Sequence, residues 1–315
     1  MTPVQSTSTA RVAAFWVRWV LLAATSAGVL AMGSACDGDA GEHGHDAAEL
    51  GADERRIAVL LPFAADQLLQ LGVRPVAVPG LAGDPPDAWR GIPTIAMDHS
   101  AGPNLEQLMA AGPDVIITSS VYAQFVPAMK RSTDAEVVVM DINSIADVSD
   151  HIEQLGQIAD REDDARSLIT SIEGRLSATA EDADPVRVLA VFGTPHAFYA
   201  FLPSSYLGDL VEHAGGEMIT GDLQSHGIFR GLAPLSMEAV IDRDPDHLLV
   251  VFHGPEESAR AMLENDALWG GLTAVQSGHV TFLKDDLYAM RPGSDLPRAM
   301  AEITRIIDEA RARLP

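Results

Sequence analysis

The chain has 315 residues, of which 47% are hydrophobic and 21% are charged, so it is not a disordered chain. A single cysteine excludes an internal disulfide. Acidic residues number 45 and basic residues 21, which gives a formal net charge of −24. Nucleic acids and anionic membrane surfaces repel such a chain, so we expect no nucleic-acid partner. The length allows one large domain or two lobes of about 130 residues.

The first 36 residues have the three parts of an export signal. Arg11 and Arg18 make a basic start without acidic residues, an apolar run occupies 19–32, and small residues precede Cys36. The apolar run is shorter than the roughly 20 residues that a membrane span needs. A small residue directly before the sole cysteine resembles the lipobox of bacterial lipoproteins. We predict a lipoprotein signal peptide over 1–36 with lipidation of Cys36; the alternative is an ordinary signal with an incidental cysteine.

After the signal, the chain is predicted to form a tether and then two similar lobes. Residues 37–54 are rich in Gly, Ala, Asp and Glu and lack apolar periodicity, which is typical of a flexible linker. The short apolar strand that starts at Arg56 has a counterpart that starts at Arg187, 131 residues later. The order of the two strands in the chain favours a duplicated α/β unit.

A second repeat supports the duplication. Glu106 precedes Pro113-Asp114 and an apolar strand, and Glu238 precedes Pro245-Asp246 and an apolar strand at an offset of 132. Continuous apolar strands are typical of parallel sheets that are buried on both faces. We therefore predict an α/β fold with two similar lobes built on mostly parallel sheets, over 55–147 and 181–315, with the ligand cleft between them.

The segment 148–180 between the lobes is predicted to be one long, rigid helix. Apolar residues recur at three- and four-residue steps, at Ile152, Leu155, Ile158, Ala159, Leu168, Ile169, Ile172 and Leu176. Such a helix spans on the order of 40 Å at about 1.5 Å per residue. A single rigid connection predicts only small movements of one lobe against the other.

Four stretches, in this order and spacing, resemble one protein family: "LLPFAADQLLQLGVRPVAV" (60–78), "NLEQLMAAGPDVIIT" (104–118), "PLSMEAVIDRDPDHLLVV" (234–251) and "LWGGLTAVQSGHVTFL" (268–283). The chain resembles the substrate-binding proteins of ABC importers, in the branch that carries iron–siderophores, cobalamin and haem. The resemblance covers nearly all of the chain beyond the signal. It implies a carrier with two α/β lobes joined by one helix.

Within this branch, "SSYLGDLVEHAGG" (204–216) and "VVFHG" (250–254) look most like the haem-binding receptors of surface haem-uptake systems. In those receptors, one Met of the first lobe and one His of the second hold the haem iron. The nearest matches here are Met97 and His253, and His99 is a rival for the first position. The resemblance thus implies haem as the transported ligand and no catalytic cofactor.

The resemblance also implies partners and a location. In the family, a Glu on each lobe docks onto arginines of the transporter, and Glu106 and Glu238 match these positions. The alternative is that both carboxylates only stabilise the start of a helix. We expect a monomer that is exported and anchored through Cys36, facing the periplasm or the cell exterior, and that delivers its ligand to an ABC permease with its ATPase.

The residues themselves point to the same cleft. In open α/β sheets, ligands bind outside the carboxyl ends of the strands. His253 directly follows the apolar run 248–252, and Met97 follows the short run 95–96, so each lies where a strand ends. A strand-end His is often only a loop residue and a Met there is often only packing, so both interpretations stay open.

A haem slot needs apolar walls and groups that bind the propionates. The predicted walls and polar contacts are Tyr122, Phe198, Tyr199, Ser204, Ser205 and Tyr206, with the serines facing a carboxylate. An aromatic-rich loop that packs on its own lobe is the alternative. Further cleft candidates are His196 and His226, whereas His213, His247 and His279 are predicted to lie at the surface.

Other functions remain open at this stage. A ferric siderophore is usually bound by Arg or Tyr, and only Arg230 and Arg291 lie in suitable loops. Cobalamin is a further alternative in the same fold. A metal-ion carrier requires convergence of histidines such as His99, His196 and His253. An enzyme is disfavoured, because the sequence has no nucleophile elbow, no His-Glu-x-x-His pair and no nucleotide-binding glycine loop.

Overall fold

The computed structural model describes residues 55–81, 84–176, 184–194, 197–225, 227, 230–265, 267 and 269–314. All of them belong to the unit Leu50–Pro315. The predicted signal, Cys36 and the tether lie outside the described residues, as do His196 and His226. No helix within the described ranges is both long and apolar enough to cross a membrane.

The N-terminal lobe is built on parallel strands. Its elements are β1 (Ile57–Val59), α1 (Pro62–Gln70), β2 (Val78–Pro79), β3 (Thr94–Ile95), β4 (Met97–Asp98), β5 (Gly102–Pro103), α2 (Leu105–Ala111), β6 (Val115–Thr118), α3 (Val126–Ser132) and β7 (Glu136–Val139), with 3₁₀ turns at Asp87–Trp89 and Ser120–Phe125. One sheet has the order β1–β6–β7, and β2 pairs with β3. A parallel bridge between Ala58 and Ala77 joins the two groups of strands. Every residue of β1 and β6 is buried, as in parallel sheets covered on both faces.

The connection between the lobes consists of two helices, α4 (Ile145–Ile158) and α5 (Glu162–Glu173), and not of the single long helix that was predicted. The reason lies in the backbone: Asp160 has a φ of 54°, and the Arg161 amide donates to the carbonyl of Gly156. This bond closes a Schellman-type helix end. A Cβ on Gly156 would lie 2.5 Å from the Cβ of Ala165, so α5 packs closely against α4.

The C-terminal lobe is a larger, mixed sheet with helices. Its elements are β8 (Val186–Gly193), β9 (Phe198–Phe201), α6 (Tyr206–His213), β10 (Gly216–Met218), β11 (Leu232–Pro234), α7 (Met237–Arg243), β12 (His247–Phe252), α8 (Glu256–Asn265), a 3₁₀ turn at Trp269–Gly271, α9 (Thr273–Gln276), β13 (Val280–Leu283), a π-helical turn at Asp286–Met290 and α10 (Leu296–Arg311). The strand order is β11–β9–β8–β12–β13, with β10 also on β8. Strands β8, β12 and β13 are parallel, which confirms the predicted mostly parallel sheets.

The duplicated motif forms the same structure in both lobes. The amide of Arg56 donates to Oδ2 of Asp114 over 2.9 Å, and the amide of Arg187 donates to Oδ2 of Asp246 over 2.9 Å. Each arginine side chain also donates to backbone carbonyls just after α2 or α7. The Pro-Asp turns thus tie the start of β1 to that of β6, and the start of β8 to that of β12.

The two lobes share one core. A single cluster of buried apolar side chains includes residues of β1, α1, α4, β8, α6 and α10. Polar contacts add to it: Nη1 of Arg291 lies 3.1 Å from Oδ2 of Asp66, and the amide of Ile145 donates to Asp209 over 2.6 Å. A shared core is consistent with small relative movements, which stay a prediction.

Candidate functional site

His253 lies at the carboxyl end of β12, as predicted from the sequence. Its backbone amide donates to the carbonyl of Gly193 over 2.9 Å, which fixes the chain next to the end of β8. Its ring Nδ1 lies 2.9 Å from Oδ2 of Asp285, and the side chains are 50% and 30% exposed, respectively. Asp285 follows β13, the parallel neighbour of β12, so the two carboxyl ends bring the residues together.

The contact with Asp285 determines which nitrogen of His253 is available. An ionised carboxylate only accepts hydrogen bonds, so Nδ1 carries the proton and donates it to Asp285. In the neutral ring, the lone pair of the imidazole is then on Nε2, the nitrogen that can coordinate a metal. Carboxylate partners of this kind orient metal-binding histidines and raise their basicity.

The N-terminal lobe presents the hairpin β4–β5 after the end of β3. Its turn is held by Asp98, whose Oδ1 accepts from the Ser100 hydroxyl over 2.6 Å and from the amides of Ser100 and Ala101 over 2.7 Å. The Ser100 hydroxyl, followed by these amides, lowers the pKa of Asp98 below its ordinary value. The turn holds His99 at the exposed tip of the hairpin.

The hairpin offers both first-lobe candidates. The ring of His99 is parallel to that of Tyr122, with centroids 5.9 Å apart, and its Nδ1 lies 3.5 Å from the Tyr122 hydroxyl. Tyr122 is buried, which raises its pKa above the ordinary value. Met97 is half-buried and packs against the apolar cluster that contains Tyr122, as Phe125 also does. The thioether and the imidazole thus occupy the same hairpin.

Only some of the residues predicted to form the aromatic wall are accessible to a ligand. Phe198 and Tyr199 are half-buried, Phe198 packs against Trp269 with centroids 5.1 Å apart, and Ser204 is exposed. Ser205, in contrast, is buried: its hydroxyl donates to the carbonyl of Leu202 and accepts from an amide in the first turn of α6.

Tyr206 also departs from its predicted place in the cleft. It is the first residue of α6 and lies in the core, 4% exposed, where burial raises its pKa. The apolar face of α6 packs toward the lobe interior, and the first residue of the helix is buried with that face. The structure therefore assigns Ser205 to helix capping and Tyr206 to the core, not to ligand binding.

Histidines elsewhere divide between surface and core. His247, predicted to lie at the surface, is 4% exposed, and its Nε2 lies 2.9 Å from the Thr281 hydroxyl on β13. Its ring is stacked on His279 with centroids 6.4 Å apart. Burial, followed by the neighbouring His279, lowers the pKa of His247 to about 4. It is the first residue of β12, so it lies at the amino end of the strand, whereas His253 follows the carboxyl end.

A cavity of about 470 Å³ lies between α1 and the segment 284–298. Arg291 spans it, because it binds Asp286 through Nε and Nη2 and Asp66 through Nη1. Burial raises the pKa of Asp66, against the opposing effect of Arg291. The described lining includes neither His253 nor Met97.

In the part of the chain that the structure describes, no three His, Cys, Asp or Glu side chains form a group that could hold a metal ion.

The predicted docking residues are accessible. Glu106 and Glu238 are exposed, each as the second residue of its seven-residue helix.

The sequence reasoning missed Asp285 completely. The signal was present, since this acidic residue follows a predicted strand next to the one that carries His253, but strand order is not visible in a single sequence.

The family of the chain follows from comparison with known proteins. A model of the periplasmic binding protein family matches residues 57–287, which is more than half of the chain. The chain therefore belongs to the periplasmic binding proteins, and the family expected from the sequence is confirmed.

Individual relatives make the comparison more specific. The chain is 23% identical over 226 residues to the high-affinity heme uptake system protein IsdE of Staphylococcus aureus, over 69% of this chain and 75% of the relative. The crystal structure of S. aureus IsdE complexed with heme has a TM-score of 0.68 at 23% identity, over 81% of this chain and 99% of that chain.

Two further solved structures share the fold. An ABC transporter substrate-binding protein from Listeria monocytogenes EGD-e has a TM-score of 0.69 at 23% identity, over 81% of this chain and 99% of its own. The periplasmic vitamin B12-binding protein BtuF of Vibrio cholerae has a TM-score of 0.65 at 18% identity, over 82% and 99%. These matches confirm the two-lobed α/β fold.

Proposed function

We propose that this protein captures haem outside the cytoplasm and delivers it to the permease of an ABC importer. The observation that carries the proposal is the pair His253–Asp285, which lies where ligands bind in open α/β sheets and which leaves Nε2 for iron. The similarity to a heme uptake protein supports the same ligand. Carriage requires binding and release, so the proposal includes no catalytic step and no catalytic cofactor.

On this proposal, His253 and Met97 are the axial ligands of the haem iron, one from each lobe. A thioether and a neutral imidazole are both established haem ligands. His99 is the alternative to Met97, because it lies at the tip of the same hairpin and is more exposed. Tyr122, Phe198, Tyr199 and Ser204 complete the proposed surroundings of the porphyrin.

Titration of the purified protein with haemin tests this assignment. We expect a Soret band at one haem per chain. His253→Ala should lose the low-spin spectrum and bind haem much more weakly, because imidazole is the stronger donor. Met97→Ala should keep haem with a shifted spectrum; if His99→Ala has that effect and Met97→Ala has none, then His99 is the first-lobe ligand. Absence of haem binding to the parent protein overturns the proposal.

The competing ligands give different spectra. Catecholate or hydroxamate bands would indicate a ferric siderophore, and a corrin band would indicate cobalamin. The siderophore alternative is weakened by Arg291, one of its two candidate arginines, because Asp286 and Asp66 already neutralise this guanidinium. Arg230, the other candidate, is exposed. Zn²⁺ or Mn²⁺ at one ion per chain without a chromophore would favour the metal-ion carrier.

We also propose that the protein is exported, lipidated at Cys36, and active as a monomer that docks through Glu106 and Glu238. Cys36→Ala should move the protein from membranes into soluble fractions, and unchanged membrane association contradicts the anchor. Charge reversal at either glutamate should abolish uptake without changing haem affinity. Normal uptake by both variants would mean that docking uses another surface.

A further inference from the structure

The helices α2 and α7 present the same pattern of buried and exposed side chains. Aligned at the offset of 132, Leu108 and Val240 are both completely buried, at 0% exposure. The next residue in each helix is a large aliphatic side chain that faces outward: Met109 is 47% exposed and Ile241 is 43% exposed. The two helices therefore anchor to their lobes through one equivalent residue and present another to the outside.

These two outward residues belong to a small group of exposed large hydrophobic side chains. Among the described residues, the large hydrophobic side chains that are most exposed are Met109, Val139, Ile241 and Met290. Single exposed hydrophobic residues are common and need no explanation. A pair at equivalent positions of a duplicated motif is different, because neither position is required by the core that Leu108 and Val240 fill.

Each exposed aliphatic residue is also next to an acidic one. Met109 follows Glu106 by three residues, and Ile241 follows Glu238 by three residues. Residues three apart on a helix are surface neighbours. Each lobe therefore presents one patch, hereafter the Glu-aliphatic patch, formed by Glu106 and Met109 or by Glu238 and Ile241. Such a patch is complementary to a basic side chain beside an apolar socket.

The equivalence of the two patches extends to their supports. The helices end in the Pro-Asp turns at Asp114 and Asp246, which accept the same 2.9 Å hydrogen bond from the amide of Arg56 or Arg187. The residue before each turn has positive φ: Gly112 at 55° and Asp244 at 34°. Both patches are therefore set in the same way on their lobes, and a partner that offers two like sites matches both.

The geometry points to Met109 and Ile241 as paired apolar contacts with the permease, one for each of two like halves of that membrane protein. This inference rests on the proposed docking through Glu106 and Glu238 and adds a desolvated apolar contact to each charge pair. An apolar contact beside a charged one excludes water from the pair and strengthens it. The contacts confer affinity, while the glutamates provide orientation.

Photo-crosslinking tests the contacts without depending on haem. The photoreactive residue p-benzoylphenylalanine is placed at 109, at 241 or, as the control, at Glu309, which is exposed near the end of α10, on the side where β12 begins. The full chain is expressed in cells of its source organism, and crosslinked products are identified by mass spectrometry. We expect crosslinks from 109 and 241, but not from 309, to a permease subunit. Crosslinks to a second copy of this chain, or yields no higher than at 309, overturn the inference.

Transport provides the second measurement. The double variant Met109→Gln/Ile241→Gln keeps helix-compatible side chains and should lower haem uptake at limiting haem by about tenfold, while Glu309→Gln changes it little. Haemin titration of the same variants should match the parent. If the parent binds no haem, the proposed ligand is wrong but the crosslinks still decide the docking surface. If haem binds and uptake by the double variant equals that of the parent, the paired contacts are wrong.

Discussion

The bond between His253 and Asp285 provides the sharpest test of the proposed site. In Asp285→Asn the side chain keeps its size but loses its charge, so the ring of His253 loses a charge-assisted partner and its fixed orientation. Outer partners of metal-bound histidines are worth about 10- to 100-fold in affinity. Because the two side chains are 50% and 30% exposed, we expect the lower end, a loss of about tenfold or ~1.4 kcal/mol.

The assay is competition for haem with apomyoglobin, together with the midpoint potential of the bound iron. We expect faster haem loss and a higher potential in Asp285→Asn, because a less basic imidazole stabilises the ferric state less. Glu257→Gln is the matched control, since it removes one exposed carboxylate four residues after His253. If Asp285→Asn retains the parent affinity and potential while His253→Ala loses haem, the carboxylate does not position the ligand.

Three further predictions concern stability and the strand ends. Arg291→Met leaves Asp66 without its cation between the lobes, so the unfolding free energy in urea should fall by about 2 kcal/mol. For His247, whose pKa is about 4 in the folded state and 6.5 in the unfolded one, only the unfolded chain gains a proton between these pH values. Stability that is full above pH 6.5 should therefore fall by roughly 3 kcal/mol as the pH drops to 4, as measured by urea midpoints. Gly193→Ala places a Cβ 2.6 Å from the ring of Phe198, so it should destabilise the fold by about 1–3 kcal/mol and weaken haem binding beside it.

Each of these has an outcome that contradicts it. The double variant Asp66→Asn/Arg291→Met should recover part of the loss, and no recovery would mean that packing rather than charge caused it. His247→Gln should flatten the pH dependence between 6.5 and 4, and an unchanged slope would assign it to other groups. A Gly193→Ala protein with parent-like melting temperature and haem affinity would show that the neighbouring rings move freely.

Local sequence determined the elements that short-range rules describe. The apolar strands, the repeated Glu and Pro-Asp positions and the strand-end location of His253 were all predicted, because each depends on a run of neighbouring residues. The structure adds the reason for the repeat, since both aspartates accept a hydrogen bond over 2.9 Å from an arginine amide at the start of the first strand of a lobe. The family resemblance rests on the same local stretches and is confirmed.

The prediction of a single connecting helix was wrong, because the spacing of apolar residues does not show where a helix ends. The recurring apolar positions stop at Ala159 and resume at Leu168, and between them Asp160 takes a positive φ, which a non-glycine residue adopts rarely. The sequence carried one clue, Gly156, whose missing side chain allows α5 to pack against α4 at Ala165. The break is decided by helix packing, and not by local propensity.

Tertiary structure alone decided which residues of the candidate site meet. His253 and Asp285 are 32 residues apart and come together only because β12 and β13 are adjacent and parallel. Arg291 reaches Asp66 over 225 positions because the lobes share one core. Tyr206 has a side chain that suits a ligand cleft, but the packing of α6 buries it. A single sequence records side-chain chemistry and local period, whereas strand order and the burial of each helix face are properties of the whole chain, and these determine the site.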